Sequence, residues 1–338
     1  MDSIAWCAWQ IQFSRGHFKP AAVLASQIYN IAQATNEEIE SARAHGAVGG
    51  TEMWRGHLLV AREHFEHSLE IYDRDIATYL PMPGAGVIPG RCELSWVLWA
   101  LGYPDQAARR IDEVLKLARR LNRPYSTAFA LQFAIAIEDL RGDLSQVRAR
   151  SEALIELAQE NGYPSWLASA RMSLGALIVD QEDFDSGIKM MREGMEATRS
   201  YGSLPVYRYG LVLMAGSYLR AGIIEEGLRA IEEAALAIEE DDQHFQEAEI
   251  WRLRGEFMLA RKKESLAEEN FRRAQEIART QDAKSWELRA ATSLARMLAS
   301  QDRTAEAREV LTPVYQWFTE GFATGDLRLA KTLLDRLS

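Results

Sequence analysis

Residues forty positions apart in this 338-residue chain keep repeating one another's character. From Ala107 the series runs through Val147, Gly187, Gly227, Ala267 and Ala307, small everywhere but at Val147. From Ser95 it runs through Ile135, Gly175, Ala215, Gly255 and Ala295, again with one large member. From Ile111 it runs through Ser151, Met191, Ile231, Phe271 and Leu311, apolar except for the serine. A fourth series, Gly102, Gly142, Glu182, Gly222, Lys262 and Asp302, falls where the chain should turn. Four series in one register mean one unit copied along the chain, and such units stack on their neighbours instead of enclosing a single core.

Each unit reads as two helices. Trp286, Ala290, Leu294, Met297 and Leu298 recur at three- and four-residue steps, and after Asp302 a second helix carries Ala307, Val310, Leu311 and Val314. Helices of roughly 15–18 residues are about 25 Å long. Strand-like alternation is absent. The register continues backwards through Ala61 and Ala21, and through Gly56 and Gly16, with six extra residues assigned to a loop at 80–90, the stretch LPMPGAGVIPG. The expected architecture is therefore all-α: a right-handed superhelical solenoid of eight hairpins and a C-terminal capping helix, one domain spanning 1–338. The hairpins fall at 1–35, 36–79, 87–122, 124–162, 163–202, 203–242, 243–282 and 283–322, with the cap at 324–337. Gly175, Gly187, Gly227 and Gly255 lie inside helical pattern, where each costs about 1 kcal/mol against alanine. Close crossing of the two helices of a pair accounts for them.

Composition narrows the role. The chain carries 39 Lys and Arg against 49 Asp and Glu, a net charge of −10. It has no basic stripe for a phosphate backbone, so nucleic acid is not an expected partner. No apolar run approaches the roughly 20 residues that cross a bilayer, so no membrane partner is expected. The start lacks the basic and apolar regions of a signal peptide, and two cysteines make no disulfide framework. Together these features predict a cytoplasmic protein.

Small residues at fixed places in paired helices, an aromatic or leucine before them and proline near the end of a pair resemble tetratricopeptide repeats, here with longer helices than the usual 34-residue unit. WVLWALGYPDQAARR (96–110), AEIWRLRGEFMLA (248–260), AKSWELRAATSLARML (283–298) and the closing VLTPVYQWFTEGFATGDLRLAKTLLDRL (310–337) are similar to the C-terminal repeat region of bacterial signalling proteins. In those proteins a class III nucleotide cyclase and an AAA-type ATPase precede the solenoid. The resemblance implies a non-catalytic scaffold in signal transduction, either part of such a protein or its partner. The chain itself carries no G-x-x-x-x-G-K-[ST] loop, and Pro83-Gly84-Ala85-Gly86 replaces the family's Asp-Pro-Gly run.

Candidate chemistry is sparse. His57, His64 and His67 share a helical spacing but lack further ligands, so a metal site is not expected. Residues 84–90, GAGVIPG, follow no strand and do not match a dinucleotide loop. The acidic stretch EEDDQHFQEAE (239–249) places Glu239 to Asp242 at a helix C-terminus, the unfavourable end for negative charge, which could mark a basic partner. No nucleophile–base pattern appears, so neither enzyme activity nor a cofactor is expected.

The inner surface is the remaining candidate. The first helix of each pair should line it with Trp96, Trp99, Phe129, Gln132, Met172, Tyr209, Val212, Arg252, Glu256, Arg289 and Arg296, and, in the early repeats, Trp6, Phe13 and Met53. This groove would be aromatic first and charged near its end, which suits a protein or peptide partner. A rival reading is a small ligand held inside the superhelix, as in maltose-regulon-type transcription activators, and it requires an enclosed cavity around Trp96, Trp99 and Phe129. Self-association into a homodimer through the Pro-Gly loop is a further alternative.

Overall fold

The computed structural model describes residues 3–35, 37–82, 86–181, 183–200 and 204–337. In chain order the helices are α1 (Ser3–Ser14) with α2 (Phe18–Thr35), α3 (Glu38–Trp54) with α4 (Leu58–Arg74), the single-turn α5 (Ile76–Tyr79), and α6 (Val87–Ala100) with α7 (Pro104–Arg120). There follow α8 (Pro124–Arg141) with α9 (Leu144–Asn161), α10 (Pro164–Asp180) with α11 (Phe184–Ser200) and α12 (Leu204–Arg220) with α13 (Ile224–Asp241). The last pairs are α14 (Glu247–Ala260) with α15 (Glu264–Thr280) and α16 (Lys284–Ser300) with α17 (Thr304–Trp317), closed by α18 (Gly325–Arg336). The fold is a tetratricopeptide-like helical solenoid.

The two helices of a pair differ in how they are buried. In α7 only Ala107, Ile111, Val114, Leu115 and Ala118 are buried beyond the first-turn Pro104, a single face at three- and four-residue steps. In α6 every residue from Leu94 to Ala100 is buried. The first helix of a pair touches its partner and also the first helices on either side, so it needs apolar residues all round. The second helix lies outside and needs one stripe. The bend between them requires a left-handed residue. Gly102, Gly142 and Gly222 supply φ of 93°, 77° and 71°, while Lys262 and Asp302 reach 59° and 61° without being glycine. Glu182 of the same series lies outside the described residues, as do residues 83–85.

Successive turns of the superhelix lock onto each other. The amides of His244 and Phe245 donate to the Trp54 carbonyl at 2.8 and 3.1 Å. Arg55 Nε donates to Asp242 at 2.6 Å, and Ser285 Oγ donates to the Trp99 carbonyl at 2.5 Å. Glu320, between α17 and α18, accepts the first amides of α7, from Asp105 and Gln106, both at 2.9 Å. These partners lie 186 to 215 residues apart, about five repeats. The axis between turns is filled by rings. Trp96 contacts Trp54, Phe133, Tyr209 and Phe245 with centroids 5.1–5.8 Å apart, and Trp99 meets Trp286 at 4.7 Å.

Four expectations change. The loop at 80–90 is shorter, because α6 begins at Val87 with Pro89 in its first turn, where a missing N–H costs nothing. Close crossing explains Gly175 and Gly187, since a Cβ on either would stand 2.7–2.8 Å from the other's carbonyl oxygen. At Gly227 and Gly255 the space belongs instead to rings, Phe257 and Phe271, that a Cβ would meet at 2.2 and 2.4 Å. Two acids of the stretch at 239–242 are met by the chain's own cations, Asp242 by Arg55 and Asp241 by Arg208 at 2.5 Å, while Lys19 donates to the backbone carbonyl of Glu239 at 2.6 Å. The three spaced histidines separate, His57 going to Glu52 at 2.5 Å, while His64 and His67 join His45 with ring centroids 4.8 and 5.2 Å away.

Candidate functional site

Equivalent positions of neighbouring first helices stand side by side, so a forty-residue stride writes a row across the concave face. Tyr209, Glu249 and Arg289 form one row, Glu256 and Arg296 another, and Asp180 and Arg220 a third. Together with the end of α8 and with α18, these rows line an open cleft of about 430 Å3.

Its floor is a connected ionic network. Arg252 grips Glu249 with two hydrogen bonds of 2.7 Å and reaches Ser293 Oγ at 3.3 Å. Arg296 Nη2 donates to both oxygens of Glu256, at 2.6 and 2.7 Å, and Ser293 donates to the same carboxylate at 2.7 Å. Arg289 donates to Asp326 at 2.7 Å and to the Leu140 carbonyl at 3.1 Å. Its guanidinium lies over the rings of Trp99 and Trp286, 5.2 and 5.1 Å from their centroids. Burial opposes the charge on Glu249, yet Arg252 and Arg289 hold its carboxyl below the usual range. Arg220 Nε pairs with Asp180 at 2.6 Å.

Asp139 differs from these acids. Burial pushes its carboxyl up to about 6, against the pull of Arg289 and with the push of Asp180. No hydrogen bond or ion pair reaches that carboxylate among the described residues. The cleft thus presents four arginines already paired, one carboxyl with spare acceptor capacity, and apolar walls from Leu140, Leu144, Leu213 and Leu329. This arrangement can hold a ligand of mixed polarity. No group of three or more metal-binding side chains occurs among the described residues.

The sequence-predicted residues divide into three sets. Tyr209, Val212, Arg252, Glu256, Arg289 and Arg296 meet in this cleft. Phe129, Trp6 and Phe13 line a second cleft between the early repeats. The others are built into the fold. Trp96 is 6% and Trp99 2% exposed, and they fill the superhelix axis. Met53 is fully buried. Met172 packs within the wall, where its Sδ would stand 3.1 Å from a Cβ on Gly210, and Gln132 accepts from Ser169 Oγ at 2.6 Å. Trp96 packs on Phe133, Tyr209 and Phe245 and Trp99 on Trp286, so the chain's own rings surround both indoles. Sequence reasoning missed Asp139, Asp180, Arg220 and Asp326, which sit at helix ends; the stride linking Asp180 to Arg220 was the available signal.

Three solved structures share the architecture. A Rap protein complexed with competence and sporulation factor superposes with a TM-score of 0.66 at 14% identity, over 82% of this chain and 74% of that one. The Rap conjugation gene regulator of the plasmid pLS20, in complex with the Phr* peptide, gives 0.64 at 9% identity over 98% and 94%. The apo form of RapI gives 0.57 at 12% over 82% and 97%. The likeness is one of fold. No family model matches the sequence, and no curated protein matches it.

Proposed function

We propose that this chain is a non-catalytic scaffold that binds a peptide, or an extended segment of a protein, in the charged concave cleft. The observation that carries the reading is the cleft's composition: a paired arginine network beside one unpartnered carboxyl, Asp139, and a leucine wall. Peptides offer cations, carbonyl acceptors and apolar side chains in one strand, and binding grooves of this chemistry use arginine and aromatic anchors. Two of the solenoids of similar fold were solved in complex with the Phr* peptide or with competence and sporulation factor, which supports the same class of ligand here. The resemblance of residues 96–110, 248–260, 283–298 and 310–337 to the repeat region of cyclase–ATPase signalling proteins favours a regulatory role in such a system, in the cytoplasm.

A peptide array probed with the purified chain tests the reading. Peptides carrying a cation beside apolar residues should be retained. Arg296→Gln, which removes a donor for a peptide carbonyl from a side chain 53% exposed and adds no charge beside Glu256, should weaken their binding several-fold and leave the melting temperature little changed. Retention of the same peptides with unchanged affinity by this variant and by Asp139→Asn would overturn it.

A further inference from the structure

The second cleft, about 670 Å3 between α1, α3, α4, α6 and α8, is chemically unlike the first. Its walls are rings, Trp6, Trp9 and Phe13 from α1 and Tyr125 and Phe129 from α8. Trp6 to Trp9 and Trp9 to Phe13 are each 5.0 Å between centroids. Trp9 Nε1 donates to Thr51 Oγ1 at 3.0 Å, which fixes the plane of the middle ring. One acid stands among them. A methyl group on Gly50 would touch the Phe13 ring at 3.4 Å and Glu93 Oε2 at 3.5 Å, so ring and carboxylate flank the same glycine.

Glu93 has no hydrogen-bond or ion-pair partner among the described residues. Burial alone pushes its carboxyl up to about 8. A half-buried carboxyl without a partner is costly to keep ionised unless something compensates it. The faces of aromatic rings are electron-rich and attract cations, most strongly where water is excluded. Carboxylate and ring faces therefore ask for the same ligand charge. We infer that this cleft binds a small organic cation, an ammonium or quaternary ammonium group with apolar substituents, with Glu93 as counter-ion and Trp6, Trp9 and Phe13 as its aromatic walls.

The remaining titratable or charged groups of the lining are Cys7, Arg43, Tyr72 and Tyr125. Arg43 is paired with Glu40 at 3.3 Å and is not among the causes acting on Glu93. Burial drives the Tyr72 phenol well above its ordinary range.

Choline and its neutral carbon isostere, 3,3-dimethylbutan-1-ol, distinguish charge from shape. Both are titrated into the full chain by calorimetry, with Cys7→Ser as background so that the exposed thiol cannot mimic the acid. Choline should bind at least tenfold tighter than the isostere at pH 9, and the gap should narrow by pH 6 as Glu93 takes up a proton. Glu93→Gln should bring choline down to the isostere's affinity and leave the isostere unchanged. Trp6→Ala, on a ring at the cleft edge, should weaken choline several-fold. Equal binding of the two probes at pH 9 would overturn the inference, as would a Glu93→Gln chain that keeps the preference. If Glu93→Gln does not fold, an affinity for choline that does not change between pH 6 and 9 overturns it. Arg296→Gln should leave choline binding unchanged, which separates this cleft from the peptide-binding one.

Discussion

At the residue scale the glycines and histidines make the sharpest commitments. Gly187 faces Gly175 across α10 and α11 so closely that a Cβ would reach 2.7 Å from a carbonyl oxygen. Backbone cannot yield as a side-chain tip can. Gly187→Val should therefore lower the unfolding free energy by about 2–3 kcal/mol, the usual cost of overpacking, read as a lower urea midpoint at constant slope; a change under about 0.5 kcal/mol would refute the close crossing. His45 is a pH probe. Burial, with His64 and His67 adding to it, pushes its imidazole down from 6.5 to about 4, and burial lowers His64 as well. The fold therefore prefers these rings neutral. That contribution is complete above pH 6.5 and is lost as the pH falls toward 4. His244 works in the opposite sense, because its hydrogen bond to Glu247, and then Asp242, raise its pKa. His45→Gln should make the loss of stability between pH 6.5 and 4 shallower than in the parent chain, measured by melting temperature; identical slopes would contradict the assignment.

At the element scale, helix ends show what a sequence can and cannot announce. The turn residues and small-residue series mark the hairpins because each obeys a local rule: a left-handed bend, a close approach, a stripe of burial. The same stride puts Tyr209, Arg252, Arg289 and Arg296 into one cleft, so half of the charged site could be read in advance. Trp96 and Trp99 could not be placed that way. Periodicity says which face points inward, but only the winding of the solenoid decides whether an inward ring meets solvent or another turn. Asp139 and Asp326 escaped for a related reason, since they terminate or begin helices and belong to no inward stripe. The N-terminus of α7 carries the same lesson. Pro104 starts the helix without a side-chain cap of its own, and Glu320, 215 residues beyond Asp105, supplies the acceptor. A carboxylate there satisfies two free amides and complements the helix dipole. Glu320→Ala should cost about 1–2 kcal/mol, and amide exchange should quicken at Asp105 and Gln106 before it does elsewhere; uniform exchange would show that the cap is idle.

At the scale of the whole molecule the solenoid is held by its own return. An open repeat array owes its stability to nearest neighbours alone, whereas here one turn bonds to the next. Arg55 and Asp242 report that linkage, being half-buried with 27% and 22% of their side chains exposed. Arg55→Glu should lower the melting temperature, and the charge-swapped Arg55→Glu, Asp242→Arg chain should recover part of the loss, with a coupling of about 1 kcal/mol in a double-mutant cycle. Additive effects would mean that the two turns are joined elsewhere. Arg289 bears on the same linkage from the other side, for it lines the charged cleft while holding the Leu140 carbonyl and Asp326. A guest that bid for its guanidinium would loosen a clasp as well as fill a hollow. The coil would then answer its cargo mechanically, like a spring whose catch lies inside the keyhole.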